Sequence, residues 1–220
     1  VKNVFDEKVS DLMYDRLSSN EKFVTKFMND KDFARELISM VFSDFQEQSE
    51  ASSEQQLLNL IEQGESTTLE FKATMRYNLH EKKNKDKNVQ HACIKTIAAF
   101  LNAEYGGSLL IGVRNHDGKV MGTRIDDFRD SRGSEDPDKA MLHLVNLINR
   151  DIGPTFSPSC DMRAVASGGK TVIWVKVSPA MRSPAWTKKG DESVFYVRQG
   201  PRTGRLDQAQ AEEYISDHFD

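Results

Sequence analysis

The sequence predicts an α+β fold, in which helices pack against a mixed, largely antiparallel sheet and a small helical segment comes first. In several stretches apolar residues recur at three- and four-residue spacing, which is typical of helices. In others they alternate with polar residues or form short runs, which is typical of strands. The two kinds of stretch do not alternate strictly, and this argues against a parallel sheet built from βαβ units.

The first part of the chain predicts helices alone. Apolar side chains recur at helical spacing over residues 8–48, and Asp30 stands where the cap of one helix is expected. The next stretch, 46–53, is uniformly polar and indicates a linker or a solvated helix end. We therefore expect a helical N-terminal segment over residues 1–50 and a second domain over residues 51–220.

The second part mixes both periodicities. Helices are predicted over 54–63, 89–103, 137–150 and from 207 to about 218. Strands are predicted over 67–73, 108–113, 159–166, 171–177 and 194–198. The charged residues 76–88 between the first strand and the second helix predict an exposed loop.

Composition excludes several classes of protein. No apolar run approaches the roughly 20 residues of a membrane-spanning helix, and the first residues show no secretory signal. Cys93 and Cys160 have no zinc-ligand spacing and are both predicted to be buried. We expect a cytoplasmic protein without a cofactor. The chain does not begin with Met, and we expect it to be fused to other domains in a longer protein.

The net charge of -4 conceals an uneven distribution. Residues 1–70 carry 7 Lys and Arg against 15 Asp and Glu, while residues 71–205 carry 23 against 14. The last 15 residues carry five acids and no Lys or Arg. Because phosphate binding depends on local charge, the basic middle of the chain allows a nucleic-acid partner.

Much of this positive charge lies in one segment that follows the first strand. Its candidate phosphate contacts are Lys72, Arg76, Lys82, Lys83, Lys85 and Lys87, to which Arg198 and Arg202 are added from the end of the domain. A flexible basic arm of this kind binds phosphates without sequence preference. The alternative is a solvated loop without a partner. Trp186, beside Lys188 and Lys189, either stacks on a base or packs under its loop.

Two strings in this part of the chain resemble a known family. The first is Gly64-Glu-Ser-Thr-Thr-Leu-Glu-Phe-Lys72. The second combines Ile97-Ala-Ala-Phe-Leu-Asn102, Gly106-Gly-Ser-Leu-Leu-Ile-Gly-Val113 and Asp117-Gly-Lys-Val-Met-Gly122. Together they resemble the Schlafen-type AlbA-like domain over residues 54–205. The resemblance implies a nucleic-acid-associated module, with DNA favoured over RNA, that is often fused to other domains.

The same resemblance implies a second possible function, a divalent-metal-dependent nuclease. Glu65 and Glu70 would hold Mg²⁺ or Mn²⁺, and Lys72 would stabilise charge. In Schlafen ribonucleases a third acid follows the Gly-Val of the next strand, but here the first acid after Val113 is Asp117, which also fits an ordinary turn. The alternative for Glu65 and Glu70 is a salt-bridged strand edge without catalysis, and this interpretation is favoured.

The N-terminal helices carry a separate resemblance. Residues 8–48 are similar to the C-terminal helical end of type I restriction enzyme motor subunits. This implies an accessory module of a restriction or defence protein. A third hypothesis is a protein-interaction or dimerisation domain, in which the acidic helices of one copy pair with the basic middle of another.

Overall fold

The computed structural model describes residues 26–79 and 84–219, and of 41–51 it describes the backbone alone. Contacts divide the chain between Ser52 and Ser53 into two compact units. In the first unit the Asp30 carboxylate accepts hydrogen bonds from the backbone N–H of Asp32 (3.2 Å) and Phe33 (3.0 Å). The predicted cap at Asp30 is confirmed. The predicted helical positions before residue 26 lie outside the described residues.

Helix α1 spans Lys31–Gln63. Of the two predictions for 46–53, the linker is therefore wrong, since the backbone stays helical through that stretch. Its Glu, Gln and Ala residues are good helix formers, and neither Gly nor Pro interrupts them. Uniform polarity is typical of a solvated helix as well as of a linker.

The second unit contains the described strands and the remaining α-helices. The helices are α2 (Lys87–Leu101), α3 (Pro137–Asp151) and α4 (Gln208–Phe219), with short 3₁₀ turns at Thr123–Asp126 and Pro154–Ser159. The strands are β1 (Leu69–Lys72), β2 (Tyr77–Asn78), β3 (Asn84–Lys85), β4 (Gly107–Ile111), β5 (Cys160–Ser167), β6 (Lys170–Val177), β7 (Trp186–Lys189), β8 (Glu192–Gln199) and β9 (Arg202–Leu206).

These strands form one larger sheet and two smaller ones. The larger sheet has the order β1-β4-β6-β5, and the smaller ones pair β2 with β3 and β7-β8-β9 in sequence. Strand β1 runs parallel to β4, and the other described strand pairs are antiparallel. The predicted α+β class with a mixed, largely antiparallel sheet is confirmed.

Both faces of the larger sheet are covered. On one face, residues of α2 and α3 such as Ile97, Phe100 and Leu144 form the main core with β4 and β6. On the other face, Leu57 of α1 packs on Phe71 and Trp174. Burial of this apolar area is the main favourable term for the fold. Among the described residues, no helix has the length and apolar character needed to cross a membrane.

One local prediction is wrong, and two strands are missing from the sequence prediction. The described part of 76–88 is not a loop, since it holds β2, β3 and the start of α2. Strands β7 and β9 were not predicted. The first has only four residues, and the second reads Arg-Thr-Gly-Arg-Leu, with a glycine at its centre and little apolar character.

The Gly106-Gly107 pair makes a tight connection from α2 to β4. Gly106 has a φ of +67°, and a Cβ there would meet the carbonyl oxygen of Val177. A Cβ at Gly107 would meet the ring of Phe100. Close packing therefore accounts for both glycines. Cys93 and Cys160 are buried, as predicted, and both are free thiols.

Asn102, at the end of α2, ties that helix to the three-stranded sheet. Its side-chain nitrogen donates to the carbonyl oxygens of Ala185 (3.0 Å) and Tyr196 (2.9 Å), and its side-chain oxygen accepts from the Ala185 N–H (2.7 Å). The Asn102 backbone carbonyl accepts a further hydrogen bond from the Tyr214 hydroxyl (2.8 Å). The side chain is only 2% exposed, so water cannot replace these partners.

We predict that Asn102→Ala lowers the free energy of unfolding by about 2–4 kcal/mol, because it leaves buried backbone groups without partners. Urea unfolding followed by circular dichroism measures the loss. The control is Asn146→Ala on the exposed side of α3, which we expect to change stability by less than about 0.5 kcal/mol. Equal unfolding midpoints for the two variants would contradict the assignment.

Candidate nucleic-acid interface

Glu70 and Lys72 of β1 form a buried ion cluster with Arg198 of β8. Glu70 is bonded through one carboxylate oxygen to the Lys72 ammonium and through the other to Nη1 of Arg198 (2.8 Å). The side chains of Lys72 and Glu70 are 17% and 11% exposed. Glu70 thus has the salt-bridged role that the sequence favoured. It lies on the edge strand of the larger sheet, where Arg198 and Lys72 enclose its carboxylate.

Arg198 is the most enclosed member of this cluster. Its side chain is 1% exposed, and its guanidinium also donates to the carbonyl oxygens of Ser66 (2.7 Å) and Thr67 (3.0 Å) and lies 4.8 Å from the centre of the Phe100 ring. These contacts join β8 to the bend before β1. Arg198 therefore offers no free donor to a phosphate.

The other predicted acids are engaged elsewhere. Glu65 accepts from the Phe71 N–H (2.8 Å) and the Asn115 side chain (3.2 Å), and burial raises the pKa of this carboxyl above its usual value. Asp117 pairs with Arg114, whose hydrogen bonds hold the pKa of Asp117 well below its usual range. In the described part of the chain, no three His, Cys, Asp or Glu side chains lie together as metal ligands would.

Arg76 also serves the fold. Its guanidinium donates to the carbonyl oxygens of Asp126 and Asp127 and lies 3.8 Å from the centre of the Phe128 ring. The buried Asp126 carboxylate accepts the backbone N–H of Met75 (2.8 Å) and Arg76 (2.9 Å). The side chains of Arg76 and Asp126 thus hold the 3₁₀ turn at Thr123–Asp126 against the segment that follows β1.

The remaining predicted cations are less enclosed. Lys85 and Lys87 are exposed in β3 and at the start of α2, and Arg202 is exposed at the start of β9, where it contacts Gln199 (3.3 Å). Lys82 and Lys83 lie outside the described residues. Trp186 packs on Phe195, with ring centres 5.0 Å apart, so packing and not base stacking accounts for it.

A basic groove lies between α2, the end of α3 and the β7–β8 turn. Its volume is about 440 Å³. The lining residues are Lys87, Asn88, Gln90, His91, Arg150, Asp151, Lys188, Lys189 and Gly190. Of the predicted contacts that the structure describes, only Lys87 lines the groove, and three segments distant in sequence form its walls.

The groove lysines differ from the structural cations in having no acid partner among the residues that the structure describes. No carboxylate of the described residues lies within 4 Å of the ammonium groups of Lys87, Lys188 or Lys189, whereas Arg150 is neutralised by Asp151 at 2.6 Å. Unpaired ammonium groups around one concave surface produce a positive potential that attracts anions.

Perturbed pKa values show that these charges act on one another. Burial is the first cause that lowers the pKa of His91 below its usual value, and the nearby Lys189 and Lys95 lower it further, while Asp151 opposes them. The pKa of Lys95 is lowered by burial, then by Lys72 and Lys189, with Glu70 opposing. Lys95 therefore interacts electrostatically both with the groove and with the buried ion cluster.

Part of this site could have been found in the sequence. Lys87, His91 and Lys95 are spaced by four residues, which places them on one side of a helix. Arg150 and Asp151 carried no comparable signal, because only the packing of α3 beside α2 brings them to the groove.

Comparison with known proteins identifies the family. The sequence profile of the family described as Schlafen, AlbA_2 matches residues 65–207. The chain belongs to the Schlafen, AlbA_2 family. The AlbA_2 match includes the ion cluster of β1 and all residues that line the groove. It does not extend to residues 8–48, so the resemblance to restriction motor subunits stays a prediction.

Two solved structures are similar to this AlbA_2 protein. One is the DIP2311 protein from Corynebacterium diphtheriae, with 19% identity and a TM-score of 0.47, covering 70% of this chain and 24% of that one. The other is the N-terminal domain of a RecG-related protein from Nitrosomonas europaea, with 22% identity and a TM-score of 0.43, covering 69% and 91%. The chain thus matches about a quarter of the DIP2311 protein. No curated protein matches the sequence.

We predict that Arg198→Ala lowers the free energy of unfolding of the AlbA_2 domain by about 3–5 kcal/mol, because it leaves the buried Glu70 carboxylate without its second cation. Thermal or urea unfolding measures the effect. Arg202→Ala removes the same charge from an exposed site, and its stability should stay within about 0.5 kcal/mol of the parent. Equal losses of unfolding free energy in both variants would contradict the assignment of the buried ion cluster as the link between β1 and β8.

Proposed function

We propose that the AlbA_2 domain, residues 51–220, binds nucleic acid through its phosphate backbone at the basic groove, with DNA as the favoured partner. The observation that carries this proposal is the convergence of ammonium groups from α2 and the end of β7 on one concave surface. None of them has an acid partner in the described part of the chain. Family membership supports it, since the resemblance of the two sequence strings implies a nucleic-acid-associated module.

The proposed contact surface differs from the one predicted from the sequence. Lys72, Arg76 and Arg198 are left out because acid or carbonyl partners already hold them. Lys87 is kept. Lys188 and Lys189 are added from the end of β7, and Lys95 contributes to the local charge. Contacts of this kind neutralise phosphates and release counterions, so the binding should depend strongly on salt and little on sequence.

The wider setting of the domain remains a prediction. We propose that it serves a larger restriction or defence protein, on the resemblance of residues 8–48, of which 8–25 lie outside the described residues. Self-association of acidic helices with basic surfaces is a separate hypothesis, and sizing chromatography at low and high salt tests it.

We predict that Lys188→Ala/Lys189→Ala weakens the binding of DNA of any sequence. The slope of log K against log salt should become shallower by about 2, because two phosphate contacts are lost. Fluorescence anisotropy titrations over a range of salt concentrations measure both quantities. No affinity for DNA or RNA at low salt in the parent protein would overturn the proposed function.

The matched control is Lys119→Ala/Lys176→Ala, which removes two exposed lysines that do not line the groove. It changes the net charge by the same amount. An equal loss of affinity in this control would show that binding follows total charge and not the groove.

We also predict that affinity rises as the pH falls from 7 towards 5. The pKa of His91 is lowered in the folded protein, so its imidazole is neutral at pH 7 and gains a positive charge only below that pKa. A bound phosphate stabilises the protonated imidazole of His91, so binding of the phosphate and protonation of His91 favour each other. The gain should be about fivefold, corresponding to about 1 kcal/mol for a partly exposed ion pair.

Anisotropy titrations of the parent protein and of His91→Gln at each pH check this expectation. The variant lacks the titrating ring, so its affinity should change much less over the same range. An identical pH dependence in both proteins would exclude His91 as the source.

A further inference from the structure

The shape of the basic groove restricts what it can enclose. Its volume of about 440 Å³ lies within the roughly 300–1,000 Å³ of pockets that surround a small group. The side of a double helix is convex, and a recess of this size cannot surround it. A group that projects from a nucleic acid, such as the end of a strand, can enter.

The groove carries more positive charge than one internal phosphodiester can neutralise. Lys87, Lys188 and Lys189 are exposed and have no acid partner in the described part of the chain. The Lys95 ammonium is close enough to lower the pKa of His91. An internal phosphodiester carries one negative charge, whereas a phosphate monoester carries about 1.5 to 2 at pH 7 and three acceptor oxygens.

The lining of the groove favours a phosphate over a base. None of the described residues that line it is Trp, Tyr or Phe. The aromatic ring nearest in sequence to Lys188, that of Trp186, packs against Phe195. The one ring among the described lining residues is the partly buried His91 imidazole, which is bonded to the Tyr196 hydroxyl (3.0 Å). The exposed ammonium groups therefore provide most of the recognition.

We propose that the groove holds the terminal phosphate monoester of a nucleic-acid strand. This inference rests on the proposed function and adds a preference for phosphorylated strand ends. In this proposal Lys188 and Lys189 contact the monoester from the end of β7, Lys87 contacts it from the first turn of α2, and Asn88 and Gln90, which also line the groove, contact the adjoining sugar.

The experiment compares single-stranded oligothymidines of one length that carry a 5′ phosphate, a 3′ phosphate or no terminal phosphate. Anisotropy at moderate salt measures their affinities for the full chain. We expect at least one phosphorylated strand to bind about tenfold more tightly than the unphosphorylated strand, a difference in binding free energy of about 1.4 kcal/mol. Lys188→Ala/Lys189→Ala should remove this preference, and Lys119→Ala/Lys176→Ala should retain it.

Each other result has a definite meaning. Equal affinities for all three strands, with salt dependence intact, overturn the strand-end inference and leave the proposed function standing. No binding of any strand at low salt overturns both. Competition by thymidine monophosphate or inorganic phosphate at concentrations comparable to those of the strand would mean that the groove is a site for free small anions, and this too overturns the strand-end assignment.

Discussion

The attachment of the three-stranded sheet to helix α2 is the constraint on which the rest of the structure depends. Asn102 makes it with a single buried side chain that satisfies both backbone groups of Ala185 and the carbonyl of Tyr196. Ala185 immediately precedes β7, whose last residues are Lys188 and Lys189. The position of these two lysines opposite Lys87 and His91 therefore depends on a hydrogen-bonding side chain at the far end of the same helix.

The structural cations have carboxylate or carbonyl partners within the protein, whereas the cations available to a ligand have none among the described residues. This difference matters more than where each residue stands in the sequence. Arg198 and Lys72 share the carboxylate of Glu70, and Arg76 is held by backbone carbonyls. A buried charge with good partners costs much to disturb, whereas an exposed ammonium without a partner can exchange its counterions for phosphates. The same basic composition thus provides both the internal ties of the domain and its candidate binding surface.

The sequence predicted those features that depend on local periodicity. The main helices and the strands of the larger sheet were placed within a few residues, since apolar spacing and caps such as Asp30 of α1 are local signals. Long-range contacts could not be predicted from the sequence. Nothing near Arg198 indicates that Glu70 lies opposite, and the groove exists only because α3 and the β7–β8 turn pack beside α2. The helix through 46–53 was missed because polar composition does not distinguish a linker from a solvated helix.

The most direct test of the central claim is lysine footprinting by mass spectrometry, in which acetylation rates are measured with and without a DNA oligonucleotide. Our interpretation predicts protection of Lys87, Lys188 and Lys189, while the exposed Lys119 and Lys176 keep their rates. Protection of Lys119 and Lys176 with the groove lysines unchanged would contradict it, because the polyanion would then be bound on a surface other than the groove.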